Sequence, residues 1–181
     1  MKTLVKTVII LLFLFLSGCE TGINPDVDRE NDVEDIQVYF SPADRVDDIL
    51  IDLIKNADSE IKAAVYSFNR SSIAEALVAA HRRGVTVKIL VDSNQSGLPS
   101  QTGTTAYLEQ NIPDFRLKTF SLITISMHNK FVVIDKNIVA TGSYNWTNNA
   151  TFNNDENLLV ITSKSLAGIY NLEFERLWLD S

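Results

Sequence analysis

Two side chains in the last third of the chain, His128 and Lys130, carry types and spacing suited to phosphate chemistry; they lie in the run M-H-N-K-F-V-V-I-D-K-N-I-V-A-T-G-S-Y-N-W-T. Residues two apart on a strand leave the same face, so imidazole and ammonium are expected side by side. A ring nitrogen can supply the lone pair that attacks phosphorus while the lysine neutralises the phosphoryl oxygens. Phe131 to Ile134 is apolar and belongs in a core, which would hold the pair rigidly. Gly142-Ser143 ends the next apolar stretch, where a turn or helix start could offer backbone N–H groups and a hydroxyl to an anion. Asn145 adds a neutral amide donor. No H-E-x-x-H, cysteine cluster or Asp-rich loop is present, and neither metal nor cofactor is expected.

The elements that must position these groups alternate between strand and helix patterns. Gln37–Phe40 reads as a short strand, and Ser41-Pro42 as a cap with proline at the first helical position. Val46, Ile49, Leu50, Leu53, Ile54 and Ala57 recur at helical spacing. Ile61–Ser67 is a strand; Ser72 with Glu75 forms a capping box for the next helix, which Arg82, Arg83 and Gly84 close. Val85–Asp92 is a strand, and the polar stretch Ser93–Thr105 reads as a surface loop. Further strands are expected at Phe115–Lys118, Ser126–Asp135, Ile138–Gly142 and Asn157–Thr162, with a closing helix over Lys164–Leu179. The alternation predicts one α/β domain, a mixed sheet layered with helices on both faces.

His128, Lys130 and Asp135 match H-x-K-x4-D, Gly142-Ser143-Tyr144-Asn145-Trp146 follows as G-S-x-N-W, and Glu156 lies downstream. In these residues the chain resembles the phospholipase D superfamily, closest to its short bacterial endonuclease-like members with one signature per chain. The likeness extends to A-V-Y-S-F at Ala64–Phe68 and R-R-G-V-T-V-K-I-L-V-D at Arg82–Asp92. It implies that His128 forms a phosphohistidine or, in a symmetry mate, acts as general acid. It implies that Lys130 and Asn145 bind non-bridging phosphate oxygens with Ser143 nearby, and that Glu156 accepts a hydrogen bond from the second ring nitrogen of His128. Asp135 completes the signature in a supporting place, as a turn residue capping toward Lys136-Asn137. Tyr144 and Trp146 are either walls of the site or core.

In-line displacement through a covalent intermediate needs a nucleophile on one side of phosphorus and an acid on the other. The chain has two histidines, and His81 lacks the companions of His128. A homodimer with the site on its two-fold axis would supply the second imidazole.

The substrate is less constrained. The formal charge is -7, but residues 20–35 hold seven acids against Arg29, leaving 16 acids and 13 bases from Ile36 onward. A near-balanced domain neither excludes nor recommends a polyanion. DNA or RNA is the leading substrate class if Arg70, Arg82, Arg83, Lys88, Arg116, Lys118 and Lys164 share a face. A phospholipid is the alternative, favoured by an apolar ledge at the site mouth, and a non-enzymatic lipoprotein on the same scaffold is the third. Upstream, Lys2 and Lys6, the apolar run Val8–Leu16 and Leu16-Ser17-Gly18-Cys19 resemble a bacterial lipoprotein signal, with ordinary secretion as the plainer reading. The expected organisation is a signal peptide over 1–18, an acidic tether over 19–35 beginning at lipidated Cys19, and a catalytic domain over 36–181. The protein is then exported and anchored to a bacterial membrane.

Overall fold

The computed structural model describes residues 32–122 and 124–181. The expected export segment, Cys19 and most of the expected tether lie outside the described residues. The strands are β1 (Asp35–Ser41), β2 (Glu60–Val65), β3 (Thr86–Asp92), β4 (Asp114–Lys118), β5 (Lys130–Ile134), β6 (Ile138–Gly142) and β7 (Glu156–Thr162). The helices are α1 (Val46–Lys55), α2 (Ser71–Arg82), α3 (Ser93–Ser96), α4 (Thr102–Asn111), α5 (Asn148–Phe152) and α6 (Lys164–Leu179).

Apolar residues on both faces of β2, β3 and β5 make these the centre of one seven-stranded sheet, ordered β1-β7-β6-β5-β2-β3-β4. β2, β3 and β4 run parallel, while β5, β6, β7 and β1 pair antiparallel. On one face, Ile61, Ala63, Val65, Val132 and Ile134 pack with Val46, Leu50 and Ile54 of α1 and Ile73, Leu77 and Leu108 of α2 and α4. On the other, Ala64, Leu90, Phe131 and Val133 pack under Phe174, Leu177 and Trp178 of α6. The chain is a single α/β domain with helices on both faces.

Several local expectations shift. Pro42 lies in a turn, and α1 begins later, at Val46 after Arg45, without a side-chain cap. The Ser72–Glu75 box does not form: α2 starts at Ser71, and the Ser72 hydroxyl is buried without a partner. The polar stretch after β3 folds as α3 and the start of α4. Trp146 and Tyr144 are core, the former edge-on to Phe68 and the latter joined to Thr151 Oγ1 at 2.5 Å. The folded part also starts before Ile36. The Asp32 carboxylate accepts from Ser163 Oγ at 2.5 Å and Ser165 N at 2.9 Å, which ties the end of the tether to the start of α6. These serine donors hold its carboxyl well below the usual carboxylate range.

Candidate active site

The strand directions bring the C-terminal ends of β1, β2, β3 and β6 and the N-terminal ends of β5 and β7 to one edge of the sheet. His128 lies in the extended segment leading into β5, two residues before the expected strand becomes regular. Its companion Lys130 is the first residue of β5 and only 9% exposed. Lys130 Nζ donates to the His128 carbonyl oxygen at 2.8 Å and lies 3.2 Å from His128 Nδ1. The Tyr66 ring, just past β2, completes the cluster, 4.3 Å from the imidazole centroid and 4.8 Å from the ammonium. Burial, then repulsion from Lys130, holds the imidazole below its usual pKa, with Asp92 opposing both. Burial likewise lowers the Lys130 ammonium, and Glu156 acts against it. A neutral ring able to attack is the result.

Gly142 ends β6 where a Cβ would collide with the Asn157 carbonyl oxygen. No helix starts there; α5 begins further on, capped by Thr147. Ser143 Oγ accepts from Asn157 N at 3.0 Å, which leaves its own hydrogen for an outside acceptor. Asn145 lines a cleft of about 460 Å³ beside Tyr66, together with Ser67, Asn69, Gln95, Gln101 and Asn154. Asn145 Oδ1 is buried with no hydrogen-bond partner.

The family described as cardiolipin synthase, PLD-like domain, matches residues 50–178, a span holding every one of these groups. The chain belongs to the phospholipase D superfamily. Nuc from Salmonella typhimurium, a phospholipase D family member, superposes with a TM-score of 0.73 at 31% identity, over 81% of this chain and 95% of that one. NucT from Helicobacter pylori gives 0.71 at 27%, over 81% and 96%. Among curated proteins, the mitochondrial cardiolipin hydrolase of Xenopus laevis is 34% identical over 72% of this chain and 59% of its own. Phospholipase D of Rickettsia typhi is 33% identical over 81% and 67%. The chain thus spans less than two thirds of the first of these curated relatives.

Two residues of the signature make other contacts than expected. Asp135 is not at the site: it follows β5 at the opposite edge of the sheet. Nor does it cap toward Lys136-Asn137; its carboxylate accepts from Asp58 N at 2.9 Å, Ser59 N at 2.7 Å, Ser59 Oγ at 2.8 Å and Glu60 N at 3.0 Å. Burial would raise this carboxyl, but the amides outweigh it and keep the pKa low. Glu156 is at the site edge, yet its carboxylate accepts from Asn154 Nδ2 at 3.0 Å, and no hydrogen bond joins it to His128 among the described residues.

The basic residues do not form one groove. Arg70 is locked on the buried Asp47 carboxylate at 2.7 Å, and Arg83 binds the carbonyls that end α1. Lys88 and Arg116 lie over the Trp178 ring, and Lys118 donates to the Asp180 carbonyl, on the α6 side. Sequence reasoning gave no role to Tyr66, Asp92 or Gln101. Tyr66 and Asp92 stand at the C-terminal ends of predicted strands, where open α/β sheets place their sites, and that position was the available signal. Gln101 sits in a stretch read as loop. Its side chain accepts from Phe68 N at 2.9 Å and donates to Ser67 Oγ at 2.8 Å, which fixes the floor of the cleft.

Proposed function

We propose that this chain is a phosphodiesterase that acts on nucleic acid through a phosphohistidine on His128, as a homodimer held at a membrane by lipidated Cys19. The observation that carries the chemistry is the His128–Lys130–Tyr66 cluster, an exposed imidazole in contact with a buried ammonium. An ammonium can only donate, so with Lys130 on Nδ1 the lone pair of the neutral ring is held there. A phosphate draws Lys130 onto its oxygens and releases Nδ1; solvent then carries the ring proton from Nε2 to Nδ1, which leaves the lone pair on Nε2, an atom with no partner among the described residues. The N–P bond forms as the P–O bond to the leaving group breaks, and the leaving oxygen takes a proton from the second ring, which acts in its imidazolium form and becomes neutral. Water then attacks phosphorus, gives its proton to that imidazole, and the N–P bond breaks.

The second imidazole comes from the partner copy. His81 closes α2 at the other end of a 12-residue helix, about 18 Å from the site edge. An exposed apolar strip on the α6 side of the sheet supports a second copy as its cover. There Ile36, Val38 and Phe40 of β1 are 55%, 46% and 56% exposed beside half-buried Leu159 and Ile161. Phe40 pairs with Asn157, next to Glu156, so this apolar strip runs up to the site.

The cleft supports a nucleic acid. Its lining of uncharged amides, hydroxyls and one aromatic ring suits the sugar and base beside a scissile phosphate better than acyl chains. A lipid reading has its own support, because Leu122 and Ile125 are exposed on the segment that leads to His128. The deciding experiment offers the protein plasmid DNA and labelled phospholipid vesicles in excess EDTA. DNA is expected to be cut in the presence of EDTA, and a DNA-linked phosphoryl group on His128 is expected after a rapid denaturing quench at neutral to alkaline pH, because the N–P bond is labile in acid. Activity that stops with chelator and returns with Mg²⁺ overturns the mechanism, and cleavage of lipid alone transfers the substrate. For the dimer, wild type is co-refolded with His128→Ala at constant total protein. Activity is expected to fall as the square of the wild-type fraction; a linear fall overturns the shared site.

A further inference from the structure

The last residue of β3 is a carboxylate in an unusual position. Asp92 is fully buried. One of its oxygens, Oδ1, accepts from Asn94 N at 3.0 Å and Gln95 N at 3.1 Å, capping α3. The other, Oδ2, accepts from Met127 N at 2.9 Å, the residue before His128. No lysine or arginine forms an ion pair with it among the described residues. An enclosed charge held only by amides is costly, and capping alone does not require it, because serine or asparagine caps a helix as well. What the carboxylate adds is a second acceptor turned to the His128 segment and a negative charge beside a ring that must become cationic.

We propose that Asp92 is a positioning residue for His128: it fixes the backbone that presents the ring and supplies the internal counter-charge for the imidazolium. The catalytic consequence rests on the phosphohistidine reading above; the structural one does not. Lys130 from its own segment and Tyr66 from the end of β2 touch the ring, Asp92 at the end of β3 holds the backbone N–H of the residue before it and acts on the ring through its charge, and Glu156 at the start of β7 acts on Lys130. Lys130 disfavours the imidazolium and Asp92 favours it. Burial lowers the proton affinity of His128, and two charged neighbours then act on it with opposite sign. This is the electrostatic part expected of Glu156, provided here from a different strand.

The test uses the protein with Asp92→Asn and, to keep a cap on α3 without the charge, Asp92→Ser. With only two histidines in the chain, the ring protons of His128 can be followed by NMR with His81 as internal control. The His128 titration is expected to move to lower pH in both variants and that of His81 to stay. Turnover of bis(4-nitrophenyl) phosphate is expected to lose about tenfold to a hundredfold in kcat with KM unchanged. Both limbs of its pH profile are expected to shift toward acid, since nucleophile and acid are the same residue in two copies. A folded variant with an unmoved His128 titration overturns the counter-charge even if kcat falls. Failure of both variants to fold makes Asp92 a folding residue and overturns the assignment. If His128→Ala retains activity, the phosphohistidine reading fails instead, and the ring titration still decides the role of Asp92.

Discussion

The two ends of β5 differ in how their polar groups are used. At Asp135 both carboxylate oxygens are engaged by donors of the Asp58–Glu60 segment, and the chain turns directly into β6. About 17 Å away along the strand, Lys130 meets a ring whose Nε2 has no partner among the described residues, near an Asn145 oxygen buried without one. One signature therefore spans an architectural end and a chemical end. A saturated carboxylate has little left to offer a substrate, whereas groups left unsatisfied at a cleft are where a ligand can repay the cost of burial.

The largest effect that separates the two ends is at the ring. His128→Ala is expected to lower kcat about 10⁴-fold or more with an unchanged melting temperature; measurable turnover near wild type would move the chemistry off this end. Lys130→Ala and Asn145→Ala are expected to cost about 10²–10³-fold each in kcat without unfolding. Removing the ammonium also relieves its repulsion of the imidazolium, so in Lys130→Ala the acid limb of the pH profile is expected to move to higher pH.

Asp135→Asn tests the other end. It is expected to cost about 2 kcal/mol, or about 4–8 °C in melting temperature, with kcat changed far less. Its native pKa is depressed, so the stability it adds is present above the unfolded carboxylate value and is lost as pH falls through the folded one. Melts of wild type and variant are therefore expected to converge in strong acid. Loss of turnover at unchanged melting temperature would place Asp135 in the chemistry. The smallest effect is at the turn. Asp135 and Lys136 both have positive φ, 52° and 55°, as the tight β5–β6 hairpin requires. Lys136→Gly is expected to add about 0.5–1 kcal/mol, seen as a slightly higher melting temperature at constant kcat.

Much of this was legible in residue order. The apolar runs of β2, β3 and β6 and the amphipathic α6 carry their own signal, and the β6 and α6 boundaries match the expected ones. The site residues drawn together, His128, Lys130, Ser143, Asn145 and Glu156, follow from strand ends meeting at one edge. What was not legible depends on tertiary partners. The α4 sequence T-G-T-T-A-Y-L-E-Q-N has little apolar periodicity and is held through buried Thr105 and Leu108. Asp135 is engaged by amides 75–77 residues away, and Asp92 by an amide 35 residues away, distances no local pattern reports. The basic residues were countable, but their separation onto two sides of the sheet required the fold.

The junction at Asp32 bears on what the enzyme faces. The chain enters β1 at the edge remote from His128, and the seven residues of β1 then carry it about 24 Å toward the cleft. The 13 residues from Cys19 to Asp32 reach no further than about 45 Å. A bilayer holding Cys19 would lie behind the domain, with the cleft looking outward. In that proposed arrangement molecules arriving from solution would meet the cleft head-on, whereas the phosphates of the same bilayer would lie on the far side of the domain.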